Sequence, residues 1–201
     1  IVLDRQCDSY QAVQRFADPS FRFDEIAEAA DGSLWVDRLL ADPMRFPMQA
    51  DQRLGAPVEL GLGDQRSAGD SAAVLEIDGQ AFVSTERALL AWDGQRFAAL
   101  DAHPLIAAGL APSSDLRVRT CGDGSVFAFN ARRLLRRDAD TEQPFVELRP
   151  MDGGARGIVD VQCADVNGSA WIGTWSGMVR FDAKAARTPP LSAAPVMQTV
   201  R

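Results

Sequence analysis

Residues 159–182 read VDVQCADVNGSAWIGTWSGMVRFD. Three short apolar-rich runs are separated by two small turn signals, Asn167-Gly168 and Ser176-Gly177. Asn-Gly supplies the positive backbone φ angles that a tight hairpin needs, and Ser-Gly marks a second reversal. The stretch therefore predicts three antiparallel strands.

The same frame recurs upstream as Asp31-Gly32-Ser33-Leu34-Trp35-Val36, Asp78-Gly79-Gln80-Ala81-Phe82-Val83 and Asp123-Gly124-Ser125-Val126-Phe127-Ala128. Each time an aromatic residue stands four positions after the Asp or Asn. The intervals from Asp31 to Asp78, to Asp123 and to Asn167 are 47, 45 and 44 residues. That is the period of propeller blades, and it is too long for ankyrin or leucine-rich repeats. A candidate first strand precedes each turn, at residues 23–29, 73–77, 116–120 and 158–163. In the third of these, Leu116, Val118 and Thr120 alternate with Arg117 and Arg119, a period of two. Short outer runs follow at 57–60, 96–100 and 144–148, which completes four strands per repeat.

The expected fold is all-β: a β-propeller section of about four blades, each a four-stranded antiparallel sheet. The blades occupy residues 1–187, with turns near 31, 78, 123 and 167. Residues 1–16 read as the outer strands of a preceding blade, and the Pro-rich residues 188–201 read as a tail or a linker to a following domain. Trp35, Phe82, Phe127 and Trp171 are expected as inter-blade core, because a repeat places its large side chain at the same packing site each time. Gly32, Gly79, Gly124 and Gly168 are the turn glycines. Two segments fit less well. Residues 23–30 (FDEIAEAA) have helical propensity, and residues 37–56 lack a clear third strand and carry Pro43 and Pro47. An arc of about four blades leaves apolar inter-blade surfaces at its ends. The section is therefore expected to belong to a longer propeller or to pair as a homodimer through its exposed blades.

The composition narrows the functions. Hydrophobic residues make up 46% of the 201, enough for a sizeable core, and a formal net charge of -7 supplies no basic stripe for tracking nucleic acid. No run approaches the roughly 18 to 20 uninterrupted apolar residues of a membrane span, so membrane contact is expected only through a parent protein. The three cysteines, Cys7, Cys121 and Cys163, form no close pair. They are expected as buried apolar thiols, with a Cys121–Cys163 bridge as the alternative in an oxidising compartment.

The run Asn167-Gly168-Ser169-Ala170-Trp171-Ile172-Gly173-Thr174, followed by Ser176-Gly177-Met178-Val179-Arg180-Phe181-Asp182, resembles the two-component-regulator propeller repeat. That family shows an acidic-Gly turn, a Trp-hydrophobic-Gly-Thr strand, then Gly-Leu-x-Arg-hydrophobic-Asp. The likeness is partial at residues 31–36. It is weaker at 78–93 and 123–138, where Ser84-Thr85 and Phe129-Asn130 replace the Gly-Thr pair. The resemblance implies a periplasmic sensor region of a bacterial membrane-bound signalling protein. A histidine-kinase or diguanylate-cyclase output would then lie outside these residues.

No catalytic constellation stands out. The sole histidine, His103 beside Pro104, is expected in a solvated loop and precludes multi-histidine metal sites. There is no Gly-x-Ser-x-Gly elbow, no phosphate-cradling Gly-rich loop with a following Lys, and no Cys-x-x-Cys. Asp138 and Asp140 lack the rest of a calcium loop. No catalytic residue, metal or cofactor is therefore expected. Arg132-Arg133 and Arg136-Arg137 form the one basic cluster, read as solvated hairpin arginines or, more sharply, as an anion or acidic-ligand site.

A propeller gathers loops from successive blades around one mouth, where ligands commonly bind. The loops at 37–43, 86–88, 130–133 and 175–177 are expected on one face, with the connections 61–70, 101–115 and 149–157. They supply the ligand-binding candidates Trp175, Arg87, Arg132, Arg133, Arg38 and Arg156, for an unidentified small molecule. Rim packing is the alternative for Trp175, and Trp92 reads as third-strand packing. Sensing is the leading function. A protein-interaction scaffold is the alternative, and a lyase- or lactonase-type propeller enzyme is disfavoured by the lack of histidines.

Overall fold

A computed structural model describes residues 25–67, 69–139, 142–148, 157–164 and 168–183, and residues 2–6, 9–14 and 198–199 as strands only. Cys7, Asp140, Arg156 and Asn167 lie outside the described residues. An antiparallel pair, β1 (Val2–Gln6) and β2 (Ser9–Gln14), comes first. Four four-stranded sheets follow. The first blade is β3 (Ile26–Glu28), β4 (Leu34–Arg38), β5 (Ala41–Phe46) and β6 (Val58–Glu59). The second is β7 (Ala73–Ile77), β8 (Gln80–Ser84), β9 (Leu89–Trp92) and β10 (Phe97–Ala99). A single helical turn, α1 (Pro104–Ala107), leads into the third: β11 (Arg117–Thr120), β12 (Val126–Phe129), β13 (Leu134–Arg137) and β14 (Val146–Glu147). The fourth is β15 (Ile158–Cys163), β16 (Ala170–Thr174), β17 (Gly177–Phe181) and β18 (Gln198–Thr199). Every pairing is antiparallel and sequential, as the 45-residue repeat predicts. β18 lies inside the residues read as a tail, so the fourth sheet draws its outer strand from there.

Among the described residues, both segments contain strands. Ile26–Glu28 pairs with β4 instead of forming a helix, because Ala27 is buried against the second blade and that packing outweighs local propensity. Pro43 sits within β5, where a register shift between Val36 and Arg38 interrupts the ladder and accommodates a residue with no N–H to give.

Alternating side chains fill the gaps between blades. Trp35 faces forward into Val74, Ala81, Val83 and Leu90 of the second blade. Phe82 faces forward into Leu116, Val118, Val126 and Ala128 of the third. Phe127 faces forward into Val161, Ala170, Ile172 and Phe181 of the fourth. Trp171 departs from the expected core. It is half-buried and joins none of these clusters, because no further four-stranded sheet follows among the described residues. Its cross-strand neighbours are Gln162 and Arg180.

The turns of adjacent blades abut. The Ala30 N–H donates to the Gly79 carbonyl at 2.7 Å, and a Cβ at Gly79 would stand 2.9 Å from that of Ala30. Asp78 and Gly79 both have positive φ, the two-residue hairpin that Asp-Gly favours.

Cys121 and Cys163 form a disulfide, their Cα atoms 5.5 Å apart, which replaces the expectation of free thiols. Both lie toward the turn end of an inner strand in consecutive blades, so stacking the blades brings them together. His103 is not a solvated loop residue either. Its Nδ1 accepts the Leu105 N–H at 3.2 Å, capping α1, and its ring packs 5.2 Å from that of Phe82. Burial, and then the charge of Arg137, lower its pKa.

Candidate functional site

The inner strands β3, β7, β11 and β15 run alongside one another and bring their starting residues to one end. The connections into the second, third and fourth blades are stitched there to turns between second and third strands. Arg87 donates to the Asp64 carbonyl at 2.8 Å and to Ser67 Oγ at 2.7 Å. The Ser113 N–H donates to Ser84 Oγ at 3.1 Å. Arg133 Nη1 donates to the carbonyls of Ala108 and Gly109 at 2.9 and 2.7 Å, and the Trp175 N–H to the Gly157 carbonyl at 3.1 Å. The described parts of the loops and connections read from the sequence as sharing a face do so, and residues 149–156 lie outside the described residues.

These bonds also redistribute the candidate residues. Arg87 and Arg133 spend their guanidinium groups holding loops, and Arg133 also pairs with Glu147 at 3.1 Å. Arg132 is exposed and does not line the axial opening. Trp175 is 79% exposed, its ring so close over Gly157 that a Cβ there would lie 2.5 Å from it. Arg38 alone of the five described candidates lines the axial opening, although its Nε donates to the Asp42 carbonyl at 2.7 Å and its Nη2 pairs with Glu59.

That opening is a cavity of about 190 Å³ bounded by three blades. The first contributes Asp37 and Arg38, the second Ser71, and the third Ser114, Asp115 and Arg117. Asp37 is buried and accepts the Glu25 N–H at 2.7 Å. Beneath the opening, the Glu25 carboxylate bridges Arg117, at 3.2 Å from its Nε, and Arg119, which also reaches Asp160 of the fourth blade at 3.4 Å. A second cavity of about 210 Å³ lies toward the other end of the same strands, lined by Glu28, Glu76, Arg119 and Thr120. The axis is thus a column of paired charges and hydroxyls, with donors and acceptors for a small polar molecule at its mouth. Sequence reasoning missed Asp37, Ser71, Ser114, Asp115 and Arg117. Their traces were the ranges 37–43 and 101–115, which placed Asp37, Ser114 and Asp115 on this face without singling them out, and the alternation that set Arg117 and Arg119 apart from their apolar neighbours.

Four small antiparallel sheets in sequential order around an axis define a β-propeller. Among solved structures, the chain is similar to the extracellular domain of the putative one component system BT4673 from B. thetaiotaomicron, with a TM-score of 0.55 and 11% identity. It covers 88% of this chain and 23% of that one. A second structure, the extracellular domain of the putative hybrid two component system BT4673 from B. thetaiotaomicron, gives the same TM-score and identity over 84% of this chain and 21% of that one. The chain therefore spans less than a quarter of the length of these structures, and at this identity the likeness is one of fold. No protein-family model and no curated protein matches the sequence. No helix among the described residues is long and apolar enough to cross a membrane.

Proposed function

We propose that this chain is the ligand-sensing propeller section of a bacterial transmembrane signalling protein, placed in the periplasm, with its output domain outside these residues. One observation carries the reading: three consecutive blades converge Asp37, Ser71, Ser114, Asp115 and Arg117 on one axial mouth. The mouth offers cationic donors, carboxylate acceptors and hydroxyls without an aromatic wall, which suits a small polar molecule. The fold-level likeness to extracellular domains of bacterial signalling systems supports the placement. Binding would act on the output through differential affinity for two arrangements of the parent protein.

A thermal-shift panel of small sugars, amino acids and organic acids tests the site. At a hundredfold excess over Kd a ligand adds about 2.7 kcal/mol, which for a chain of this size raises Tm by about 5 to 11 °C. The paired substitutions Ser71→Ala and Ser114→Ala should remove most of that shift. A ligand whose shift survives both changes binds elsewhere and refutes the assignment.

A second reading, docking of a partner protein, is favoured by the exposed Val159, Trp175 and Met178, all in or beside the fourth blade. A partner on that blade would protect β17 from hydrogen exchange and leave Ser71 and Ser114 untouched.

A further inference from the structure

Arg136, in the basic cluster read from sequence, is not a solvated hairpin arginine. Its side chain is 10% exposed, with the guanidinium carbon 5.7 Å from the Phe127 ring centroid and 5.2 Å from that of Phe181, between the third and fourth blades. Nη1 pairs with Asp138. Nε and Nη2 are both buried and have no hydrogen-bond partner. Among the described residues this is the one guanidinium with both of these atoms buried and unpaired. At the equivalent place in the first blade, Arg45 keeps Asp31 on Nη2 at 2.8 Å and leaves Nε alone unpaired.

Nε–H and Nη2–H form one edge of the guanidinium, the edge that receives a carboxylate through two parallel hydrogen bonds. Buried donors left unpaired are uncommon, and a charged one is costly. Arg136 also lines a groove of about 340 Å³ whose other walls include Pro144, Val146, Leu148 and Phe181. Val146, the cross-strand partner of Arg136, is 60% exposed, so apolar surface stands open beside this arginine. The restraint on the guanidinium is modest, because Asp138 is itself half-exposed and such pairs hold weakly. A doubly charged anion suits the groove poorly, since Asp138 sits in its lining. The groove lies at the end of β13 away from the 130–133 turn, and therefore away from the axial mouth.

We propose that this inter-blade groove binds a small monocarboxylate with an apolar body, its carboxylate on the Nε/Nη2 edge of Arg136 and its body against Pro144, Val146 and Leu148. Benzoate is the probe, benzyl alcohol its neutral counterpart and inorganic phosphate the test of general anion binding. In a two-dimensional NMR titration benzoate should shift the Arg136 Nε–H and the amides of Val146 and Leu148. Benzyl alcohol and phosphate should bind at least about tenfold more weakly. Arg136→Met, which keeps the apolar stem, should weaken benzoate by at least about tenfold. Should that variant unfold, Val146→Asp on the exposed strand keeps the fold and sets a repelling carboxylate in the groove, with the same loss expected. Equal binding of benzoate and benzyl alcohol, shifts confined to the axial mouth, or no response up to about 10 mM benzoate overturns the proposal. In that case the stacked guanidinium is a structural clamp between blades.

Discussion

Replacing Cys121 and Cys163 together by Ala removes the covalent link between the third and fourth blades. The bond closes a loop spanning a sequence separation of 42 residues. In the chain-entropy account a loop of that length restricts the unfolded state by roughly 13 cal/mol/K, or about 4 kcal/mol at 25 °C. The loss should not be spread evenly. Blades in an array are held by their neighbours, and within the described residues the fourth packs on the third alone. The backbone amides of β15, β16 and β17 should therefore exchange up to about a thousandfold faster in the variant, while those of β7 and β8 keep their protection. If unfolding is cooperative over the whole chain, Tm falls by about 8 to 16 °C instead. Hydrogen exchange read by mass spectrometry, with thermal melts of the oxidised, reduced and Ala-substituted protein, separates these outcomes. A Tm change under about 2 °C with unaltered protection in β16 would refute the entropic reasoning.

Gly79→Ala forces a side chain onto a backbone at φ +79° and brings a Cβ within 2.9 Å of the Ala30 Cβ, so it should cost about 1 to 3 kcal/mol. A urea midpoint equal to wild type would show that the abutting turns relax freely. Trp35→Ala should cost about 3 to 5 kcal/mol, whereas Trp171→Ala, at the same place in its repeat, should cost under about 1.5 kcal/mol. Equal losses would mean that the Trp171 face is sealed in solution. For His103, burial lowers the native pKa below its ordinary value of 6.5, so the unfolded chain binds the extra proton first as pH falls. Its contribution to stability is complete above about pH 6.5 and is lost as pH drops through the lowered native value. His103→Asn, which retains a capping acceptor, should flatten the decline in Tm between about pH 7 and 5, and identical slopes would discard the account.

Much of the architecture could be read from one short frame, because an Asp-Gly or Asn-Gly turn followed by an aromatic fixes both hairpin and packing face. The spacing pointed to an inter-blade packing role for Trp35, Phe82 and Phe127, and the structure adds that each faces forward into the next blade. The first strand expected at residues 23–29 is present as Ile26–Glu28, and the alternative helical reading of residues 23–30 failed over the described part because propensity is a local quantity, while Ala27 packs against Val74 and Ala81 of the next blade. The arginines show a different limit. Loop position placed Arg87 and Arg133 on the right face, but only three-dimensional distances reveal that carbonyl groups already occupy them. Apart from the alternation that marks Arg117, the axial residues carry no spacing signal. Ser71, Ser114 and Asp37 are unremarkable in their own repeats and acquire meaning only where inner strands from three blades converge.

Trp171 shows how far a repeat argument can be carried. Each blade presents a forward face built on an aromatic and a backward face that combines small or branched residues with a phenylalanine in the first and fourth blades. Phe127 stands opposite Arg136 on the neighbouring strand, and Trp171 stands opposite Arg180 in the same way. Arg136 pairs with Asp138, and Arg180 lies 3.8 Å from Asp182 at the same two-residue spacing. The forward face of the third blade is covered by Ala170, Ile172 and Phe181. A surface completing the fourth blade would need a similar set. Leu34, Val36 and Phe46 on the first blade have that composition, and in β4 and β5 Leu34 pairs with Phe46 as Ala170 pairs with Phe181. Val36 and Phe46 are already buried with Met44 and Leu54, in a cluster that does not include Trp171. The two complementary faces are therefore both present in one chain without being spent on each other, so the burial of Trp171 depends on a neighbour that supplies a backward face.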